Sequence, residues 1–232
     1  MVTRLVFMPQ KPVKKSKPAA ADGPERVKKI LAALRRAYPE ADCALRHTGA
    51  WQLLVATILS AQCTDARVNQ ITPGLFKKFP DVRDMARLTP AELEPEIRSS
   101  GFFRNKAKSI IGAAQAIVER FHGQVPRAMP ELLELPGVAR KTANVVLGVA
   151  YEQAEGVVVD THVRRIARRL ELTRENSPER IERDLMRILP RGEWIGFSHR
   201  LIAHGRKICL ARKPRCPQCP LQSLCNSSDK IL

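Results

Sequence analysis

Residues 132–146 read LLELPGVARKTANVV and predict two helices joined by a tight turn. The leucines end an apolar helix, Pro136 and Gly137 favour a turn, and a second helix starts at once. The backbone N–H groups that begin the second helix point outward without partners, where the helix dipole also favours an anion such as phosphate. Taken alone, a Pro-Gly turn between helices is far more often only a turn.

Helical spacing extends outward from this turn over nearly all of the chain. Residues 50–61 are apolar almost all round, which is typical of a helix buried inside a bundle. Residues 103–121, 161–170 and 178–188 place apolar side chains three and four residues apart, which predicts amphipathic helices. Only residues 156–159 look extended, and they are too few for a sheet. The sequence therefore predicts an all-α fold.

The charge of the chain indicates a polyanionic partner. Among 232 residues, 40 Lys and Arg outnumber 23 Asp and Glu, and the net charge is +17. DNA or RNA fits this surplus best, although a solvated basic surface fits the same count. A membrane is a weaker candidate, because the longest apolar stretches, such as residues 51–61, are well short of the about 20 residues that a spanning helix requires.

The N-terminal residues 1–22 are predicted to form a disordered basic tail. The first 20 residues carry five basic residues, no acid and three prolines, so they bury too little apolar surface to offset their ordering entropy. The segment lacks the continuous apolar region and the small-residue cleavage site of a secretory signal. We therefore expect a cytoplasmic protein without a signal peptide.

Lys141 is an unusual residue at the start of the second helix of the turn. It falls in the first helical turn, where the dipole disfavours a cation, and it follows Arg140. Both features should lower the pKa of its amine, as an amine nucleophile requires. The alternative is an exposed lysine whose stem covers apolar surface, and without further support this alternative is preferred.

A second polar position follows the extended segment at residues 156–159. Asp160 precedes the helix at 161–170 and is well placed to cap its first turn. A capping carboxylate has a fixed direction, so this structural role is compatible with catalysis. His162 is interpreted as a hydrogen-bonded structural residue rather than a general base.

Four of the six cysteines lie in the last 24 residues, with the spacing Cys209-x6-Cys216-x2-Cys219-x5-Cys225. In a chain without a secretory signal this crowding indicates a closed site for a soft metal rather than disulfides. The spacing contains only one close pair, and it leaves the choice between zinc and an iron–sulfur centre open. The same loop carries Arg212, Lys213 and Arg215. Cys43 and Cys63 are interpreted as small core residues.

Together these motifs resemble the endonuclease III family of DNA glycosylases, within the helix-hairpin-helix superfamily. The resemblance covers residues 24–226. It is carried by the four cysteines and by LSAQCTD at 59–65, LPGVARKTANVV at 135–146, VDTH at 159–162 and AHGR at 203–206. Each segment alone has little specificity, whereas the cysteine spacing together with the hairpin and its lysine is highly specific.

The resemblance implies an architecture of two helical domains with a DNA-binding cleft between them. A six-helix barrel with the helix-hairpin-helix would comprise residues 43–153. Residues 23–42 and 154–232 would form the second domain, in which the four C-terminal cysteines hold a [4Fe–4S] cluster. The implied function is base excision repair by a monomeric enzyme. Its substrate would be double-stranded DNA that contains oxidised pyrimidines or abasic sites.

The resemblance also assigns residues to DNA contacts. Gly137, Val138, Ala139 and Arg140 of the hairpin would bind the backbone on one side, and Arg212, Lys213 and Arg215 of the cluster loop on the other. Gln62 and Phe102 would fill the gap left by the flipped nucleotide. Without the resemblance, Gln62 is a polar residue at a helix end and Phe102 a core aromatic.

The implied chemistry is that of a combined glycosylase and lyase. The Lys141 amine would attack C1′ and displace the base, while Asp160 would stabilise the positive sugar. β-Elimination from the resulting Schiff base would then cut the strand. Arg140 and the start of the helix lower the pKa of the lysine, whereas an ionised Asp160 raises it. The sequence therefore does not determine the direction of the net change in the pKa of Lys141.

The chain departs from the family pattern at two positions. Ala139 stands where the family usually has glycine, and its methyl group is harmless if the backbone φ is negative. Phe102 replaces what is often an aliphatic residue. Cys63 lies beside the expected pocket and could tune substrate choice.

Three other interpretations fit parts of the sequence. An adenine glycosylase of the same superfamily usually lacks the lysine and has a further C-terminal domain, whereas this chain has Lys141 and ends seven residues after Cys225. A DNA-binding module without activity fits the charge and the hairpin equally well. A zinc protein also fits the cysteines, although it would be colourless where an iron–sulfur protein is yellow-brown.

Overall fold

The computed structural model describes residues 23–231, which fold into eleven α-helices and four 3-10 segments with no β-strand among them. The helices are α1 (Pro24–Ala37), α2 (Ala50–Leu59), α3 (Asp65–Lys78), α4 (Val82–Ala86), α5 (Pro90–Ile97), α6 (Phe103–Arg120), α7 (Met129–Leu133), α8 (Arg140–Tyr151), α9 (Thr161–Arg169), α10 (Pro178–Ile188) and α11 (Trp194–Lys207). The 3-10 segments are Arg98–Ser100, Arg191–Glu193, Cys216–Gln218 and Gln222–Leu224. The all-α prediction is confirmed. The predicted tail lies outside the described residues.

One hydrophobic core is built from a continuous part of the chain, α2 to α8. Helix α6 contributes a fully buried stripe at Ala107, Ile110, Ala114 and Ile117, on the spacing that the sequence predicts. Residues 53–59 of α2 are all buried, as expected of a helix that is apolar all round. Each large aliphatic side chain buried here contributes about 1.5–3 kcal/mol to the free energy of unfolding.

A second core combines the two ends of the described chain. Helix α1 packs against α11, and α9, α10 and α11 complete the cluster around the fully buried Phe197. Arg26 of α1 donates hydrogen bonds to the backbone carbonyls of Leu170 at 2.9 Å and Leu224 at 2.6 Å. The N-terminal helix is thereby tied to the segment that carries the cysteines.

Helices α5 and α10 begin with side-chain caps. Thr89 and Glu92 form a capping box at α5, in which the Thr89 N–H donates to Glu92 Oε2 at 2.7 Å. Ser177 caps α10 and accepts from the Arg180 N–H. Such caps each stabilise a helix by about 1 kcal/mol. No helix within residues 23–231 is long and apolar enough to cross a membrane.

Candidate active site and metal centre

Lys141 and Asp160 line the same open groove. Lys141 is contributed by α8 of the first core, and Asp160 precedes α9 of the second core. Arg206 of α11 pairs with Asp65 of α3 across this groove. The groove therefore lies where the two cores meet, and it brings together two residues that are 19 positions apart in the sequence.

The turn of the hairpin before Lys141 requires glycine at position 137 to avoid backbone strain and a steric clash. Gly137 has φ +77°, a conformation that glycine adopts without strain, and a Cβ there would lie 2.4 Å from Ser109 Cβ. Val138 is buried, and its N–H donates to the Leu135 carbonyl at 3.1 Å, so this residue builds the turn. Pro136 packs closely against Gly112 of α6.

Helix α8 begins without a side-chain cap. Ala139 is its N-cap residue, with φ −91°, and no side chain accepts a hydrogen bond from the first turn. The negative φ means that the alanine methyl in place of the family's glycine costs nothing in backbone strain. The N–H groups of this first turn are therefore available to an anion, as a phosphate-binding hairpin requires.

Lys141 is exposed in the first turn of α8, and no carboxylate among residues 23–231 forms an ion pair with its amine. It borders the groove shared with Asp160 and also a second cavity, of about 770 Å³, between α8 and α11. An amine that lacks an acidic partner and faces two cavities is accessible to a substrate.

Arg140 forms a bidentate ion pair with a buried carboxylate of α10. Its Nε donates to Glu182 Oε2 at 2.9 Å and its Nη2 to Glu182 Oε1 at 3.0 Å, and this pairing raises the pKa of Arg140. Glu182 also accepts from Asn144 Nδ2 at 2.9 Å. The paired carboxylate offsets the field that an unpaired Arg140 would impose on its neighbour. Neither Glu182 nor Asn144 was predicted as a site residue from the sequence.

Asp160 caps α9 as predicted. Its Oδ1 accepts a hydrogen bond from the Val163 N–H at 2.7 Å, which fixes the direction of the carboxylate at the groove. His162 is packed against Gly205 of α11, and its Nδ1 lies 3.2 Å from Arg165 Nη2. Burial lowers the pKa of His162, which keeps the imidazole neutral in this structural position.

Gln62 and Phe102 both stand at exposed positions with left-handed backbone, at φ 52° and 47°. Gln62 lines the groove. Phe102 is 64% exposed, so the interpretation of this residue as a core aromatic is wrong. An exposed aromatic side chain on a strained backbone is more typical of a binding residue than of a packing residue.

Cys43 and Cys63 are only partly buried against the first core, which corrects the interpretation of both as core residues. Cys63 lines the groove that contains Lys141 and Asp160, as the resemblance implies, and Cys43 lines the cavity behind Lys141. Burial raises the pKa of the Cys43 thiol. Both thiols therefore lie near the candidate site.

The four C-terminal cysteines line one cavity. Burial, and then the other cysteines, raise the pKa of the Cys219 thiol to about 11. Four cysteine sulfurs that line one cavity match the ligand set of a [4Fe–4S] cluster.

Polar groups of the protein point at two of these sulfurs. Arg169 Nη1 lies 3.2 Å from Cys209 Sγ, and it also donates to the Leu210 carbonyl at 2.7 Å. The Leu221 N–H donates to Cys219 Sγ at 3.4 Å. Hydrogen bonds to sulfur stabilise thiolate ligands, which is a second feature that suits this cofactor. The sequence analysis missed Arg169.

The basic residues of the cluster loop are all exposed. Arg212, Lys213 and Arg215 precede Cys216, and none of them forms an ion pair with an acid in the described part of the chain. Their charges are therefore available to bind the phosphates of a nucleic acid.

Comparison with known proteins supports the same assignment. The family described as HhH-GPD superfamily base excision DNA repair protein matches residues 55–191, and the iron-sulfur binding domain of endonuclease III matches residues 209–225. An endonuclease III of Synechocystis sp. is 55% identical over 204 residues, covering 88% of this chain and 93% of that protein.

Solved structures of endonuclease III with DNA share the fold. A non-covalent endonuclease III–DNA complex matches with a TM-score of 0.83 and 42% identity over 88% of this chain and 95% of that chain. A trapped covalent intermediate of endonuclease III with DNA, an estranged-adenine complex, matches with a TM-score of 0.83 and 43% identity over the same shares. The chain therefore belongs to the endonuclease III family of the HhH-GPD superfamily, and it is a base excision repair enzyme with DNA glycosylase and lyase activities and a [4Fe–4S] cofactor.

Proposed function

We propose that Lys141 is the nucleophile of this enzyme and that Asp160 stabilises the charge that develops on the sugar. One observation carries the proposal: the two residues come from different cores and border the same groove, and the lysine amine has no acidic partner among residues 23–231. The hydrogen bond from Val163 holds the carboxylate in one direction, which preorganises it for this role.

The reaction follows from these two groups. The base of a flipped nucleotide is displaced when the neutral Lys141 nitrogen bonds to C1′, and the electron pair of the glycosidic bond leaves with the base, which takes up a proton. Asp160 lies opposite the positive charge on the sugar. The attacking nitrogen loses a proton, the C1′–O4′ bond breaks and O4′ takes up a proton, which leaves a Schiff base between C1′ and the lysine. A base then removes the C2′ proton, the electron pair of that C–H bond forms the C2′=C3′ double bond, and the 3′ phosphate leaves with the electron pair of the C3′–O bond. Water then releases the lysine.

The hairpin and the cluster loop are proposed to hold the DNA on either side of the groove. The uncapped start of α8, from Gly137 to Arg140, offers backbone N–H groups to phosphate, and Val138 contributes by shaping the turn. Arg212, Lys213 and Arg215 supply positive charge. Gln62 and Phe102 fill the space left by the flipped nucleotide, because both side chains project from the first core.

The [4Fe–4S] cluster is proposed to be held by the four cysteines at 209, 216, 219 and 225, which surround a single cavity. The bound cluster would fix the shape of the loop that presents the basic residues. The two cores support the proposed division into a barrel domain at 43–153 and a cluster domain at 23–42 and 154–232.

Oxidised pyrimidines and abasic sites in duplex DNA are proposed as substrates. The support is the family membership together with a nucleophilic amine, which the chemistry of an abasic sugar requires. We also propose that the enzyme works as a monomer, since a single chain supplies both residues of the groove, and that it acts in the cytoplasm at the nucleoid, in keeping with its net charge of +17.

Replacing Lys141 with glutamine tests the proposal. Base removal and strand cleavage should both fall by at least about 1,000-fold under single-turnover conditions, while DNA affinity changes by less than about threefold. The control is Lys77→Gln, which removes an exposed charge on α3 away from the groove and should leave both rates unchanged. Strand cleavage that survives in Lys141→Gln would show that another residue forms the Schiff base.

A further inference from the structure

Lys106 is a buried lysine that the proposed chemistry does not use. Its side chain belongs to the first turn of α6, and only 5% of the residue is exposed. Its Nζ donates hydrogen bonds to the carbonyls of Leu59 and Ser100, at 2.8 Å each. No carboxylate among residues 23–231 pairs with this ammonium group. Burial of a charge is costly unless its N–H groups are satisfied, so the two carbonyls account for its position.

Both carbonyls belong to the last residue of a helical segment. Leu59 ends α2, and Ser100 ends the 3-10 segment that follows α5. The carbonyl end of a helix has unsatisfied acceptors and a partial negative charge, which a cation satisfies. A lysine in the first turn of α6 is disfavoured by the dipole of α6 itself. Lys106 therefore occupies a position that the dipole of its own helix disfavours. There its ammonium group joins the end of α2 to the end of the 3-10 segment Arg98–Ser100.

Each of these helix ends is followed, within three residues, by one of the two side chains that we place in the gap left by the flipped nucleotide. Gln62 follows Leu59 by three residues, and Phe102 follows Ser100 by two. The backbone N–H of Lys106 also donates to the Phe102 carbonyl, at 3.1 Å. Gln62 and Phe102 both have positive φ, a conformation that a side-chain-bearing residue keeps only when its neighbours fix it.

We propose that Lys106 is a positioning residue that fixes the spacing between the Gln62 loop and the Phe102 loop, so that the two side chains enter the duplex together. The proposal rests on the proposed role of these two side chains. A side chain that must fill a gap one base wide loses its effect when its loop shifts by about 1 Å. With the ammonium in place, neither helix end can move without breaking a charge-assisted hydrogen bond.

The test is a binding measurement that does not depend on catalysis. The variant Lys106→Met keeps the length of the side chain and removes all three N–H donors. It is compared with Lys108→Met, which removes an exposed lysine two positions further along α6. Both are made in the Lys141→Gln background and mixed with a duplex that carries 2-aminopurine opposite a stable abasic-site analogue. The fluorescence of 2-aminopurine reports the insertion of protein side chains beside it.

Lys106→Met should reduce the equilibrium constant for insertion by about 10- to 100-fold, the effect of losing hydrogen bonds from a charged donor, while Lys108→Met leaves it unchanged. Lys106→Arg, which restores a cation with several donors, should recover part of the loss. In a Gln62→Ala, Phe102→Ala double variant, Lys106→Met should have no further effect on the signal.

Three results would overturn the proposal. Equal signals from Lys106→Met and Lys108→Met would show that the ammonium does not position the loops. If Lys106→Met still reduces the fluorescence signal in the Gln62→Ala, Phe102→Ala double variant and also lowers the melting temperature, Lys106 contributes to general stability and does not position the two loops. Unchanged fluorescence in Gln62→Ala and in Phe102→Ala would refute the proposal that these side chains insert into the duplex. These single variants therefore distinguish a failure of the insertion proposal from a failure of the positioning role of Lys106.

Discussion

Glu182→Gln should weaken the attachment of the hairpin helix α8 to α10. The Glu182 side chain is 7% exposed and accepts three hydrogen bonds, from Arg140 Nε, Arg140 Nη2 and Asn144 Nδ2 at 2.9, 3.0 and 2.9 Å. Glutamine keeps the shape but loses the charge and turns one acceptor into a donor that faces the guanidinium. A hydrogen bond to a charged group contributes about 1.5–3 kcal/mol to stability.

The side chain of Arg140 is 43% exposed, so water replaces part of what the guanidinium loses. We therefore expect the free energy of unfolding to fall by about 2 kcal/mol, near the middle of the range for one such bond. In a chain of this size each kcal/mol shifts the melting temperature by about 2–4 °C, so the expected shift is about 4–8 °C.

Thermal unfolding followed by far-ultraviolet circular dichroism measures this shift. The matched control is Glu179→Gln, an exposed acid in the first turn of the same helix, which should cost no more than about 0.5 kcal/mol. If both variants melt at the same temperature, the Arg140–Glu182 pair does not hold α8 against the second core, and the reasoning from its geometry is refuted.

Other changes have equally definite outcomes. Gly137→Ala should destabilise the fold by about 3 kcal/mol or more and abolish DNA binding, because it adds a clash with Ser109 to the strain of positive φ. Gly101→Ala, at φ +69° and ψ 156° with open space around it, carries the backbone strain without a clash and should cost about 1–3 kcal/mol in urea unfolding. Asp160→Asn should slow base removal by about 100-fold in single-turnover assays and leave the melting temperature nearly unchanged, because asparagine also caps a helix; full activity would reduce Asp160 to a cap. Removing residues 1–20 should weaken DNA binding mainly at low salt and lower the salt slope of log K, because five basic residues are lost; an unchanged slope would show that they do not touch DNA.

The sequence predicts most of the fold because local patterns determine it. The apolar stripe of α6 and the buried α2 each depend on residues within a few positions of one another, and both are confirmed. The position of Asp160 at the start of α9 was predicted for the same reason, since an N-cap acts on the turn that follows it.

The contacts that join distant parts of the chain could not be predicted in this way. Glu182 lies 42 positions from Arg140, and nothing in its own helix distinguishes it from other surface acids. For that reason the sequence analysis treated Arg140 as an unpaired charge. Lys106 likewise reads as one more basic residue of α6 until the structure shows it buried between two helix ends.

The central claim is that the Lys141 amine becomes bonded to C1′ of the sugar. Borohydride reduction during reaction with a duplex containing an oxidised pyrimidine, followed by proteolysis and mass spectrometry of the crosslinked peptide, locates the bonded residue directly. The account predicts a single reduced adduct on the peptide that contains Lys141, and no adduct in Lys141→Gln. An adduct on any other lysine or on the N-terminal amine, or turnover of the duplex with no trapped species, would contradict it.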